Sequence, residues 1–258
     1  MYQESDIPNF EIVFQEYKNL YQNIEKAINA QTSIMGIIDL YGLRHQFNFF
    51  DLKLRLSFSI NSIGLNQDYM QRKTGDLKLC HLMLYKFNDL WFAYEAFVKL
   101  YGKFNGQSIQ SNKKWLENEK YSACLNTNEV QEAIIRANQE LNSKFNTPAH
   151  RQSLDDYIDY CISQSNNKSQ KNRLTTLSNK IDIPNNISDL SITDLLSLAF
   201  AMRNNFVHNG ETTVTTPELH YRKKKDSIII LYELLAIVTL RLTSKMIKDK
   251  VDSYSMRG

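Results

Sequence analysis

Between Asp76 and Tyr101 the chain places Leu77, Cys80, Leu84, Phe87, Trp91, Tyr94 and Val98 three or four residues apart, with Gly102 directly after them. At 3.6 residues per turn these side chains share one wide apolar face. The spacing predicts a long core helix that Gly102 stops. A face that wide has to be covered by other helices or by a sheet.

The rest of the chain favours helices. Glycine (8) and proline (4) are scarce in 258 residues, and residues with long side chains are plentiful. Few breakers with many helix formers argue against a sandwich. Phe10, Val13, Phe14, Tyr17, Leu20, Tyr21, Ile24 and Ile28 repeat the helical step, predicting a helix over Phe10–Ile28. Further helices are expected over about Asn128–Phe145 and Ser153–Ser163, with Pro148 marking the boundary between them. Ser191 followed by Asp194 has the pattern of a capping box. It opens a helix through Leu195, Leu196, Ala199, Phe200 and Met202 that Gly210 is placed to end. After the Thr-rich turn at 211–217, a last helix is expected from about Lys225 to Lys250.

Two stretches resist this pattern. Residues 33–63 contain Gly36 and Gly42, then the alternating Leu52, Leu54, Leu56, Phe58 and Ile60. Alternation suggests a strand, yet no partner strand is evident, so helix is the preferred reading. Residues 163–186 are dense in Asn, Ser, Lys and Gln and lose the apolar period, which predicts a polar connecting segment. The expectation is therefore an all-α single domain: an N-terminal helical addition over 1–75, and a core over 76–250 with the connector near 163–187.

Charge and cysteines narrow the chemistry. A formal charge of +3 is too small to demand an acidic partner. Cys80, Cys124 and Cys161 are odd in number and far apart, so neither a disulfide framework nor a cysteine zinc site is suggested. No H-E-x-x-H or clustered carboxylate signature calls for a metal, and no cofactor is expected. The first residues lack the form of an export signal, and no segment is long enough without interruption to span a bilayer. A reducing cytoplasm and no membrane are the expectations.

The chemistry-bearing stretch is Arg203-Asn204-Asn205-Phe206-Val207-His208, followed by Asn209-Gly210. Arg203 and His208 lie about 140° apart on an ideal helix, so a common site would need the winding to loosen towards Gly210. Arginine offers a permanently charged donor fork suited to phosphate oxygens. Histidine can take a proton from a ribose 2′-hydroxyl or give one to a leaving 5′-oxygen. Together they suit metal-independent RNA cleavage through a 2′,3′-cyclic phosphate.

This stretch resembles the R-x4-6-H signature of the HEPN superfamily, with a polar residue after the arginine and a glycine shortly after the histidine. The resemblance implies a helical bundle acting as a metal-independent endoribonuclease, in a toxin or antiviral-defence setting. It also implies a homodimer with a composite active site, and an antitoxin or regulatory protein as a further partner. On it, Arg203 contacts phosphate, His208 is the acid/base, and Asn204 supports them. Asn205 falls in the variable spacer, and no family role transfers to it. Some toxin-like members carry a tyrosine two residues after the histidine; here that position is Gly210, which argues against control by modification.

Weaker candidates surround the motif. Glu95, on an aromatic-rich helix, is a candidate acid for orienting Arg203. Arg222, Lys223, Lys224 and Lys225 form a candidate RNA-binding run, and Lys168, Lys171 and Arg173 add cations in the connector. Each also reads as ordinary solvated charge. Two other functions fit the same sequence: a catalytically inactive HEPN-like module that binds RNA, a nucleotide or a protein, and a structural protein in which His208 merely caps a helix.

Overall fold

The computed structural model describes residues 2–64, 75–104, 125–213 and 218–255. Among these residues the fold is all-α, with one isolated β-bridge between Ile181 and Ile187. The helices are α1 (Phe10–Ala30), α2 (Ile34–Ser59), α3 (Gly75–Phe104), α4 (Asn128–Lys144), α5 (Pro148–Gln164), α6 (Lys168–Ser178), α7 (Ile192–His208) and α8 (Tyr221–Ser255). The chain divides into two compact units, one built around residues 60–88 and 132–235, the other around 3–59, 89–131 and 236–258. This division does not follow the expected boundary near residue 75.

In the first unit α5, α6 and α7 pack on one another. Pro148 stands at the start of α5, where its missing N–H costs nothing, and Thr147 caps that end by accepting from the His150 amide. The helix therefore starts five residues earlier than the sequence pattern suggested. The polar stretch expected as a connector contains α6, whose Gln170, Leu174 and Leu177 are buried. The loop that follows α6 has its backbone held by polar side chains of α4 and α5. Arg151 donates to the carbonyls of Phe145, Ile183 and Pro184. Asn138 and Asn142 each exchange a pair of hydrogen bonds with the loop before α7, at Leu190 and Ile187 respectively. A loop with its amides and carbonyls satisfied in this way can be held without an apolar period.

α7 opens as its sequence suggests. The Ser191 side chain accepts from the Asp194 amide, and the Asp194 carboxylate accepts from the Ser191 amide. Lys180 adds an ion pair to Asp194 at 2.6 Å. Gly210, with φ of 66°, takes the left-handed conformation that lets the chain leave the helix.

In the second unit α1 packs on α2. Tyr17, Phe47 and Phe50 form an aromatic cluster with Phe97, and the Tyr17 hydroxyl donates to Asp51 at 2.6 Å. Residues 34–59 are helical, and the alternation of Leu52, Leu54 and Leu56 has a helical cause. Leu54 is buried on one face, while Leu52 and Leu56 are exposed on the other.

Two further expectations are corrected. α3 runs past Gly102 to Phe104, because a single glycine weakens a helix without necessarily ending it. α8 does contain a stretch long and apolar enough to cross a membrane, with mean hydropathy 1.7. That stretch is 78% buried within the protein, the signature of a core helix. The Thr-rich turn at 211–217 lies partly outside the described residues.

Candidate active site

The last turns of α7 carry Arg203, Asn204, Asn205 and His208. The winding does not loosen as expected: α7 stays helical to His208, and the Asn209 amide donates to the Asn205 carbonyl. Arg203 and His208 meet all the same. Arg203 Nη1 lies 3.1 Å from His208 Nε2 and donates to Asn204 Oδ1 at 3.0 Å. The length of the arginine side chain closes the angular gap that ideal helix geometry leaves. A guanidinium has no acceptor, so His208 Nε2 must be the acceptor and the ring proton sits on Nδ1. The contact thus holds the imidazole in the form whose Nε2 lone pair can take a proton.

Arg203 is buried, only 7% exposed, whereas His208 lies at the surface. His208, Asn204, Asn205 and Asn209 line one side of a cleft of about 440 Å³. The end of α5 and the start of α6 supply the other side through Gln164, Asn166, Asn167 and Gln170, and Phe200 adds an aromatic ring. Carboxamides therefore dominate the lining. Gln170 is held by its Nε2, which donates to the Ser197 carbonyl at 2.9 Å, and its Oε1 is buried with no hydrogen-bond partner. Exposed Lys168 and Lys171 lie on α6, just beyond Asn167.

Behind the motif is a buried polar network that the sequence reading missed. Asn205 donates to Cys161 Sγ at 3.2 Å, accepts from Asn209 Nδ2 at 3.0 Å, and through its carbonyl also accepts from the Glu211 amide. The Glu211 carboxylate accepts from the Tyr157 hydroxyl and pairs with Lys224 at 2.6 Å. Burial pushes the Cys161 thiol up to about 12 and the Tyr157 hydroxyl well above its ordinary range, so both stay protonated. The only sequence signal for this network was Asn205 itself, an amide on the buried side of an apolar helix.

The Arg222–Lys225 run is not an open basic face. Lys224 is buried against Glu211 and donates to the Thr212 carbonyl. Lys225 pairs with Asp76 at 2.7 Å and with Asp226, and Arg222 also reaches Asp76. Lys223 donates to the Lys144 carbonyl. Lysines tied down in this way have little left to offer an RNA phosphate. Glu95 belongs to the second unit, where it accepts from the Trp91 indole at 3.0 Å. A larger groove of about 1030 Å³ in that unit is lined by Arg241, paired with Glu16 and Glu129, and by Lys245, paired with Asp249. Lys26, Lys248 and Asp252 also line it, and it holds no acid/base pair of the kind seen at His208.

No family model matches the chain, and no curated protein or solved structure matches it either.

Proposed function

We propose that this chain is a metal-independent endoribonuclease of the HEPN type, acting as a toxin or antiviral-defence effector. The observation that carries the reading is the 3.1 Å contact between Arg203 Nη1 and His208 Nε2 beside an amide-lined cleft. A scissile phosphate that engages the guanidinium takes over the donor now directed at His208. His208 Nε2 is then released to accept the proton of the neighbouring ribose 2′-hydroxyl. The 2′-oxygen attacks phosphorus, the bond to the 5′-oxygen breaks, and the products are a 2′,3′-cyclic phosphate and a 5′-hydroxyl. Arg203 stabilises the charge that builds on the phosphoryl oxygens. In the composite homodimer that the family resemblance implies, a second copy of the motif supplies the proton to the leaving oxygen.

The cleft suits a base of single-stranded RNA. Asn and Gln side chains present a donor and an acceptor side by side, which matches the edges of unpaired bases, and Phe200 adds a ring. The test is incubation of wild type, Arg203→Ala and His208→Ala with labelled single-stranded and structured RNAs in EDTA. Cleavage by wild type alone is the expected result.

A second reading draws on the burial of Arg203, which is 93% covered and so restricts phosphate access. In it the chain is a catalytically inactive HEPN-like module that binds RNA, a nucleotide or a protein partner. RNA binding that is lost in Arg203→Ala, with no cleavage by wild type, would favour this reading.

A further inference from the structure

The second unit holds a cleft of about 470 Å³ between α2 and α3, distinct from the one beside His208. α2 lends it Gln46, Phe49 and Lys53, and α3 lends it Phe92, Glu95 and Lys99. Within each set the residues follow the helical step of three and then four, so each set forms one stripe along its helix. Phe50, buried and packed on Phe97 with ring centres 6.2 Å apart, forms the floor.

The rim is built differently from a core. Phe49 is 59% exposed, and His45 packs against its ring at 5.1 Å with the two planes nearly perpendicular. An exposed ring steadied in this way is a platform for stacking. Lys53 and Lys99 are exposed, and among the described residues neither meets a carboxylate. The nearby charges are engaged elsewhere: Arg55 pairs with Asp51 at 2.7 Å, and Glu95 accepts from the Trp91 indole. This is the reverse of the Arg222–Lys225 run, whose lysines are tied down.

We propose that this cleft binds single-stranded nucleic acid, with bases stacked on Phe49 and Phe92 and phosphates on Lys53 and Lys99. Aromatic platforms beside cations that follow the backbone are the shared chemistry of single-strand binding. Each helix supplies one ring and one lysine, so the cleft repeats the base-plus-phosphate unit of its ligand. Gln46 and Glu95 add an amide and an acceptor suited to the amino groups of base edges. The same carboxylate disfavours an acidic peptide, whose side chains would set like charge against it. Stacking and phosphate contacts need no 2′-hydroxyl, so DNA binds here as RNA does. The proposal goes beyond the ribonuclease reading and does not rest on it.

The test is fluorescence anisotropy of a labelled single-stranded DNA hexamer, titrated with wild type, Phe49→Leu, Lys53→Gln and Lys99→Gln at several salt concentrations. All three substitutions replace exposed side chains, so circular dichroism is expected to show unchanged helicity. Phe49→Leu keeps apolar bulk but removes the ring, and is expected to weaken binding about tenfold or more with the salt dependence unchanged. Each lysine variant is expected to reduce the slope of log affinity against log salt by about 0.7, the share of one phosphate in a single strand. Wild type that fails to bind the hexamer at about 50 mM salt, or variants that bind it as wild type does, overturn the proposal. A free nucleoside monophosphate that binds as tightly as the hexamer would overturn it in favour of a single nucleotide. A glutamate-rich peptide that binds more tightly than the hexamer would overturn it in favour of an acidic partner. Because DNA has no 2′-hydroxyl to attack, these results stand whether or not the chain cuts RNA, and the two readings fail separately.

Discussion

Lys224 and Glu211 form an ion pair at 2.6 Å with side chains only 1% and 5% exposed, and the Glu211 amide donates to the carbonyl of Asn205 in the last turns of α7. A buried pair of this kind ties the stability of the unit to the placement of His208. Lys224→Met leaves a carboxylate buried without its cation, for which the expected cost is about 3–5 kcal/mol. Adding Glu211→Gln is expected to restore most of that loss, since the remaining groups are neutral. Urea denaturation of the two variants checks both. A Lys224→Met protein as stable as wild type would show that the pair contributes nothing.

Arg203 donates to Asn204 and His208 from a single nitrogen, and lysine cannot reproduce that planar geometry. Arg203→Lys, which keeps the charge, is therefore expected to lower the cleavage rate by about 10²-fold or more, the scale seen when one preorganised electrostatic group is removed. Asn204→Ala removes only the tether and is expected to cost less. Single-turnover RNA cleavage resolves the two. Equal losses in both variants would make Asn204 more than a support.

The cleft makes a separate claim about selectivity. Gln170→Met keeps the volume of a buried side chain but removes the unpartnered Oε1. Cleavage is expected to persist with an altered preference for the base next to the cut. Comparing the four homopolymers for wild type and variant checks this, and an unchanged preference would remove Gln170 from base recognition.

Acid stability has a defined sign. Burial holds the His81 ring below its ordinary range, and Thr213 Oγ1 lies 2.8 Å from its Nε2. A depressed folded value means that the fold favours the neutral ring. Its stabilisation is therefore complete above the unfolded value of about 6.5 and is lost as pH falls through that value towards the folded one. Burial would raise Asp194, but hydrogen bonds from Lys180 and Ser191 outweigh it and hold the carboxyl below its ordinary range. Its contribution is lost in a more acidic window, below about pH 4. His81→Gln is expected to flatten the first window and Asp194→Asn the second, measured as urea midpoints against pH. A wild-type profile retained in both variants would contradict the assignment.

Much of the helical plan was legible because its signals are local. The step of three and four through Phe10–Ile28, the Ser191–Asp194 box and Gly210 each act within a few residues, and each is found in its expected form. What was not legible depends on partners distant in the chain. Lys224 reads as one more solvated lysine until Glu211 is placed beside it. Residues 163–186 read as loop because their amides serve cleft and backbone, as Gln170 does at Ser197. Alternation in α2 suggested a strand because a helix with two apolar faces mixes two periods. The angular objection to an Arg203–His208 pair failed because angles on a helix describe Cβ directions, and an arginine reaches well beyond its own.

The most direct test of the proposed chemistry uses one RNA oligonucleotide in EDTA, cut by wild type at a mapped position, beside the same oligonucleotide carrying a single 2′-deoxy nucleotide there. Attack by the 2′-oxygen, with His208 as the base, requires a 2′,3′-cyclic phosphate and a 5′-hydroxyl from the first, and no cut at that position in the second. Cleavage that survives the 2′-deoxy substitution, or products bearing a 5′-phosphate, would contradict it.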